Sequence, residues 1–324
     1  MYRTFLHLRT SITAQIDQIS KSVRSEDGKN VNAHLDIPHP TIFHSFVNTE
    51  ALPAVEKSIP RISQEGHVIV QAGTVTTSWA LTIATFHLLN QHTTSLAKLR
   101  AELRAAIPDP NDDDESAFAL ARLEQLPYLR AVIKESVRLS IGASGRITRV
   151  APDETLRFKP SKLCLQIYSQ QMKPAEKEKE WHLPPGTEVS MTSYQITTNA
   201  EIFPDPLAFV PERWLGKEGM QLEKYLTVFG DGARVCLGRQ LAYAEMFLVL
   251  GKLWRVWEGG PQVGVGGEEG GDDAKVRGGR DGQMVGRLRL AEGVTSRDVE
   301  MAEDWFIPVT YKGSKGVRVF FESY

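Results

Sequence analysis

Cysteine is scarce in this 324-residue chain: only Cys164 and Cys236 occur. Two cysteines exclude a disulfide framework and suit a reducing compartment. Neither sign of charge is in excess, since 38 Lys and Arg against 40 Asp and Glu leave a formal net charge of −2. That balance argues against a nucleic-acid-binding surface, which needs a basic field. No uninterrupted run of about eighteen apolar residues occurs, so no transmembrane helix is predicted. The N-terminus, M-Y-R-T-F-L-H-L-R-T, lacks the apolar stretch of a signal peptide. What is present, 41% hydrophobic and 24% charged residues, is the composition of a soluble globular protein long enough for a sizeable core or two domains.

The stretch richest in chemistry is F-G-D-G-A-R-V-C-L-G, residues 229–238. Gly230 and Gly232 flank an acidic residue, a spacing that suits a tight turn with positive φ. Cys236 stands just ahead of a long helical run that starts at Arg239. The helix N-terminus, Arg234 and Arg239 together favour a thiolate there, which serves as nucleophile or metal ligand. A glycine turn presenting one sulfur, with Gly238 behind it, admits a flat cofactor. Haem held by a single cysteine thiolate fits that geometry. The plain alternative is a buried cysteine beside a glycine turn.

These ten residues match F-x-x-G-x-R-x-C-x-G, the haem-binding signature of the cytochrome P450 family, at all five fixed positions, and the chain resembles that family. Further motifs follow in family order. Ala72-Gly73-Thr74-Val75-Thr76-Thr77 lies in an apolar helical stretch, 62–90, predicted to be a central helix buried on every face. It is similar to the family's oxygen-binding helix. The resemblance implies catalytic roles for Thr76, Gly73 and Thr77, with Val75 where the family usually has an acid. Glu135 and Arg138 share one face of a helix over 128–139, and resemble the E-x-x-R pair. Arg213, in Pro211-Glu212-Arg213-Trp214, would complete a structural triad with them. By the same resemblance Cys236 is the axial ligand of the iron. Phe229, Gly230, Gly232, Arg234 and Gly238 line the cofactor, and Arg149 and Arg234 meet its propionates.

The wider wording, T-V-T-T-S-W-A-L and L-P-Y-L-R-A-V-I-K-E-S-V-R-L among it, is similar to fungal, trichodiene-oxygenase-like members. The implied fold is mainly α with small β-sheets (α+β), the C-terminal part of the P450 fold. Residues 1–60 read as a helix with Ile12, Ile16 and Ile19 on one face, then a loop. Residues 61–159 run from the oxygen-binding helix to the E-x-x-R helix, with a helix over 95–107 capped by Ser95. Residues 160–180, which include Cys164, read as an insertion, either a surface loop or retained intron sequence. Residues 181–258 hold a strand over 186–196, a proline-rich meander, the cysteine loop and a helix over 239–257. That last helix is expected to pack on the 62–90 helix with the cofactor between them. Residues 259–287 are a glycine-rich insertion: residues 259–286 hold eleven of the 26 glycines. Residues 288–324 are C-terminal strands, with 304–309 and 316–321 read as a pair, and Phe306 or Ile307 placed toward substrate by the resemblance.

The implied function is that of a haem-thiolate monooxygenase hydroxylating or epoxidising an apolar small molecule in fungal secondary metabolism. Its cofactor is haem b, iron-protoporphyrin IX, its oxidant O2, and its partner an NADPH-cytochrome P450 reductase docking near Lys134, Lys224 and Arg239. The family sits on the endoplasmic reticulum membrane. This sequence shows no anchor, so its expected location is cytoplasmic or unknown. Two other readings stand beside it: an inactive remnant or incomplete gene product, and a haem-binding sensor.

Overall fold

The computed structural model describes residues 2–24, 41–109, 117–160, 164–165, 170, 172–262 and 286–323. By its internal contacts the chain divides into two compact units, Met1–Val75 and Thr76–Tyr324, and the division falls inside one helix. The expected loop at 25–40, most of the glycine-rich insertion and part of the 160–180 insertion lie outside the described residues.

The first unit contains helices α1 (Tyr2–Arg24), α2 (Ile42–Asn48) and the first half of α3 (Ile59–Asn90). Ile12 and Ile16 of α1 are buried with Ile62 of α3, and Phe43, Phe46 and Val47 of α2 pack on them. The close approach depends on Gly66. A Cβ there would lie 2.9 Å from Ile12 and 3.0 Å from Phe43.

The second unit takes the rest of α3, then α4 (Ser95–Ala106), α5 (Leu120–Leu123) and α6 (Pro127–Ser140). Beyond them come α7 (Pro174–Lys177), α8 (Ser193–Thr197), α9 (Gly216–Leu222) and α10 (Arg239–Val256). One cluster buries Ile83, Ala84, Phe86 and Leu88 of α3 with Leu99 and Leu103 of α4, Val132 and Ile133 of α6, and Met246, Leu250 and Trp254 of α10. The start of α6 shows how these helices are tied. Its first residue is Pro127, which has no N–H to satisfy. The next two N–H groups, of Tyr128 and Leu129, donate to the two oxygens of Glu102 on α4, each at 2.8 Å. A carboxylate from one helix thus caps another and offsets its dipole.

The strands are short. β1 (Arg149–Val150) pairs with β4 (Glu188–Val189), and β2 (Leu156–Phe158) with β3 (Trp181–Leu183), both antiparallel. β5 (Trp257–Gly259), β6 (Gly286–Leu290) and β9 (Val319–Ser323) form a three-stranded sheet in the order β5-β6-β9. β7 (Glu303–Asp304) and β8 (Pro308–Val309) make a separate hairpin.

Several sequence expectations are corrected here. Residues 316–321 do not pair with 304–309: β9 pairs with β6, and the 303–309 segment folds back on itself. Residues 191–196 are not strand, because β4 ends at Val189 and the Thr192 hydroxyl accepts from Tyr194 N to start α8. The α4 cap position is Thr94. Ser95 is already helical, and its hydroxyl donates to Gln91 Oε1 at 2.6 Å. The ends of the expected 259–287 insertion are strand residues of β5 and β6. The 62–90 helix is not buried on every face: residues 71–75 are exposed, Val75 to 44% and nearby Val68 to 61%. By length and composition α3 also suffices to cross a membrane, which the lack of an unbroken apolar run had excluded. Its apolar residues are interrupted by threonines and other uncharged polar residues, so the property is spread out; and Ile83, Ala84, Leu88 and Leu89 in its second half sit in the core.

Candidate functional site

The cysteine loop is placed by contacts at both ends. Upstream, α6 closes in a left-handed turn at Ile141, φ 63°, followed by Gly142, φ 66°. A Cβ on Gly142 would lie 2.7 Å from the Val228 side chain and 3.1 Å from its carbonyl oxygen. Only glycine satisfies both that φ and that approach. The Ser193 hydroxyl also donates to Thr227 O at 3.2 Å. Downstream, the Phe229 ring packs on that of Tyr243 in α10 at 5.3 Å. Burial pushes the Tyr243 hydroxyl up to about 12. The loop's entrance is therefore fixed between two helices.

Within the loop the backbone turns twice. Gly230 and Gly232 have φ 70° and 69°, as the sequence suggested. Cys236 N donates to Phe229 O at 2.8 Å, closing the turn, and Arg239 N donates to Cys236 O at 3.3 Å where α10 begins. Gly238 caps that helix with φ −85°. Cys236 is a free, exposed thiol. Val235, Leu237 and Leu241 around it are also bare, Leu237 to 83%. Among the described residues, no side chain fills the space in front of Gly232 or Gly238.

These features suit the group that the sequence implies. The donor set is one soft sulfur, the ligand type of a thiolate-bound haem. Beside it lies an apolar, glycine-smoothed surface that a flat macrocycle can cover. Arg234 and Arg149 are both exposed, and neither forms an ion pair among the described residues. Arg149 donates to the neighbouring Thr148 O at 3.0 Å. Two exposed guanidinium groups are what two propionates would need.

The other sequence-selected group is of the opposite kind. Glu135, Arg138 and Arg213 are brought together, and Glu135 and Arg138 are wholly buried. Arg138 grips Glu135 with two parallel hydrogen bonds of 2.8 Å. Arg213 Nε adds a third at 3.0 Å, Val210 N a fourth at 2.9 Å and Trp214 Nε1 a fifth at 2.8 Å. The rest of the Arg138 guanidinium donates to Thr197 O, Pro206 O and Ala208 O at 2.8, 2.6 and 3.1 Å. Sequence reasoning missed Trp214 and Val210. The tryptophan directly after Arg213 was the available signal. It also missed His87, which stacks on Phe209 at 4.9 Å. Burial lowers His87 from 6.5 to about 4, with Glu135 opposing the shift and Arg138 adding to it.

The helix motif is placed as follows. Gly73 is exposed, with open space where a Cβ would stand, and belongs to the first unit. Thr76 is half-buried and Thr77 buried, in the second unit. The Thr74 hydroxyl bonds back to Val70 O at 2.7 Å, a habit that loosens helices locally. α10 shares one buried cluster with the second half of α3 and packs also on α4, α5 and α6, where Gly251 lets the Leu123 side chain of α5 approach to 3.0 Å of where a Cβ would be. Leu241, Leu248 and Val249 of α10 remain exposed.

Comparison with known proteins bears on the family and the fold. The sequence profile described as Cytochrome P450 matches residues 2–156 and 148–261. Cytochrome P450 monooxygenase tpcC of Cochliobolus heterostrophus is 40% identical over 93% of this chain and 51% of its own length. Cytochrome P450 monooxygenase astB of Talaromyces wortmannii is 36% identical over 96% of this chain and 56% of its own. A crystal structure of a cytochrome P450, CYP102L1, superposes with a TM-score of 0.55 at 22% identity, over 76% of this chain and 49% of that one. The α+β fold expected from the sequence is thereby borne out. The chain spans about half the length of the curated relatives it matches.

Proposed function

The chain belongs to the cytochrome P450 family, and from that premise we propose that it serves as the haem-thiolate part of a monooxygenase acting on an apolar small molecule. The observation that carries this reading is Cys236, exposed on a two-glycine turn closed by its own N–H on Phe229 O. When bound, haem with one thiolate ligand supplies reductive activation of dioxygen and insertion of an oxygen atom into an apolar substrate. The residues of this chain have distinct tasks. Cys236 Sγ would hold the metal. Arg149 and Arg234 would pair with the propionates. The Thr76 and Thr77 hydroxyls would hold or pass protons at their Oγ1 atoms. Val75 cannot ionise, so protons there would come through water, Thr77 or substrate. Glu135, Arg138 and Arg213 keep the layer around Phe209 and Val210 rigid.

Haem b is the proposed form of the cofactor and a flavin-containing NADPH reductase the proposed electron donor. Of the cationic candidates for reductase docking, Lys134 is paired with Glu223, while Lys224 lies 4.9 Å from the Tyr225 ring centre. Hydroxylation or epoxidation in fungal secondary metabolism is the proposed setting, supported by the fungal monooxygenases to which the chain is similar. A second reading, a core that does not turn over by itself, is favoured by the exposed middle of α3. Purified protein supplied with haem, reduced and exposed to carbon monoxide, tests the first reading. A thiolate-type Soret band supports it, and reductase-driven, substrate-dependent NADPH oxidation then excludes the second. Absence of any haem uptake overturns the first.

A further inference from the structure

Two turns near the C-terminus enclose a cavity of about 520 Å³ that shares no residue with the cysteine loop, α3 or the Glu135 cluster. One turn follows β6 and passes through Gly293 to the short helical turn Ser296–Asp298. The other runs from Tyr311 through Gly316 toward β9. Both are locked by Asp298, which is 3% exposed. Its Oδ2 accepts from Thr295 N at 2.9 Å and from the Thr295 hydroxyl at 3.4 Å, closing the first turn. Its Oδ1 accepts from the Ser314 hydroxyl of the second, and that hydroxyl oxygen accepts from Gly316 N at 3.1 Å. Gln262 Nε2 adds bonds to Ala291 O and Val294 O, each at 2.9 Å. Walls fixed in advance spare a ligand the cost of ordering them.

The lining has a definite chemistry. Gly293 and Gly316 have φ 74° and 70°, and among the described residues a Cβ on either would meet nothing within 4 Å, so bare backbone faces the space there. Tyr311 and Phe320 supply aromatic surface, Phe320 being 51% exposed. Lys315 and Arg318 supply charge. Arg318 Nη2 donates to Glu292 O at 3.0 Å, which orients the guanidinium. Neither cation forms an ion pair among the described residues; Arg318 feels the Asp298 carboxylate through space without pairing with it. A third cation, Arg297, lies 4.4 Å from the Tyr311 ring centre. Of the two lining acids, Asp298 has both oxygens committed to hydrogen bonds, and Glu292 alone is left to oppose an anion. Two available cations against one available acid favour a single negative charge over a dianion. A guanidinium fork beside an ammonium suits a carboxylate.

We propose that this cavity binds a small organic carboxylate with a flat apolar body, its charge taken by Arg318 and Lys315 and its body by Tyr311 and Phe320. Glu292 weakens ions of higher charge. The site is independent of the haem-thiolate reading above, since Cys236 takes no part in it.

Isothermal titration calorimetry of the full, haem-free chain tests it with three probes: 3-phenylpropionate, its neutral amide, and acetate. Phenylpropionate is expected to bind with a Kd below about 1 mM, within reach of so small a ligand. The amide, which lacks the charge, and acetate, which lacks the ring, should each bind about tenfold more weakly or worse. Lys315→Ala removes an exposed ammonium that supports nothing in the fold, and Arg318→Gln removes the guanidinium. Each should weaken phenylpropionate about tenfold, the weight of one charge-assisted hydrogen bond. Glu292→Gln should tighten it about threefold by relieving a like charge at the rim. Cys236→Ser should leave it unchanged. Equal binding of the amide would overturn the recognition of charge, and equal binding of acetate the part of the two rings. Absence of phenylpropionate binding, or binding that Lys315→Ala and Arg318→Gln leave intact, would overturn the site. Binding lost in Cys236→Ser would place the ligand at the cysteine loop instead and overturn it equally.

Discussion

The Glu135 cluster and the Cys236 loop stand at opposite extremes of satisfaction. Around Glu135, two arginines, an indole and a backbone amide fill the carboxylate's acceptor sites, and Glu135 and Arg138 are closed to solvent. Around Cys236, the sulfur, Leu237 and Arg234 are all open to solvent, and only the backbone is held. The first region is complete in its own residues. The second leaves its one sulfur open to solvent. The same short stretch, residues 199–238, runs through both, so a rigid polar knot on one side orients an open loop on the other.

That contrast can be broken most forcefully at Arg138. Arg138→Ala leaves a buried carboxylate short of its fork and should cost about 3–5 kcal/mol in urea unfolding. Arg138→Lys keeps the charge but not the paired geometry and should fall in between. A loss under about 1 kcal/mol for the alanine would mean that water reaches Glu135.

The next effect is set by pH. His87 is held neutral by burial, with its value lowered from 6.5 to about 4. The unfolded chain therefore binds a proton between those values that the folded chain refuses. The stability is fully present above about 6.5 and is lost as pH falls toward 4, by roughly 3 kcal/mol in all. His87→Phe, which preserves the stack on Phe209, should flatten the unfolding curve in that window. An unchanged slope would assign the acid loss to other groups. Glu212, partly buried, and Asp298, buried, are both held below the usual carboxylate range despite that burial and come into play at lower pH. Hydrogen bonds from Lys98 and Tyr128 lower Glu212, and those from Ser314 and Thr295 lower Asp298.

Gly142 joins the two regions, and its replacement sharpens the comparison. Gly142→Ala meets both an unfavourable φ and the Val228 side chain, so about 1–3 kcal/mol should be lost. The smallest effect belongs to the loop itself. Cys236→Ser alters an exposed atom with no packing to lose, and stability should change by less than about 0.5 kcal/mol. A large loss there would show that the thiol supports the fold.

The cysteine loop was legible in the sequence because its parts are local. Two glycines, one arginine and one cysteine fix a turn within ten residues, and the φ values follow from residue type. Glu135 and Arg138 were legible for the same reason, being three apart on one helix. What bound them to Arg213 was visible only through the family's pattern. Trp214 stood in that motif but was given no role, and Val210 was missed because a backbone amide carries no residue-type signal. The burial of α3 was misjudged because an apolar helix reports a need for cover, not the identity of the covering surface. Its second half finds that cover and residues 71–75 do not. Strand pairing at the C-terminus was misread because the positive φ at Phe306 turns the chain back early, and a phenylalanine carries no such signal.

The central claim is that Cys236 is a ligand and not a structural thiol. It is tested most directly by the absorption spectrum of the reduced, carbon-monoxide-treated protein, haem-supplied, compared between the unaltered chain and Cys236→Ser. A thiolate-type Soret band in the first and its disappearance in the second, with the two haem-free chains unfolding at the same urea concentration, is the predicted result. The same band in both would contradict it.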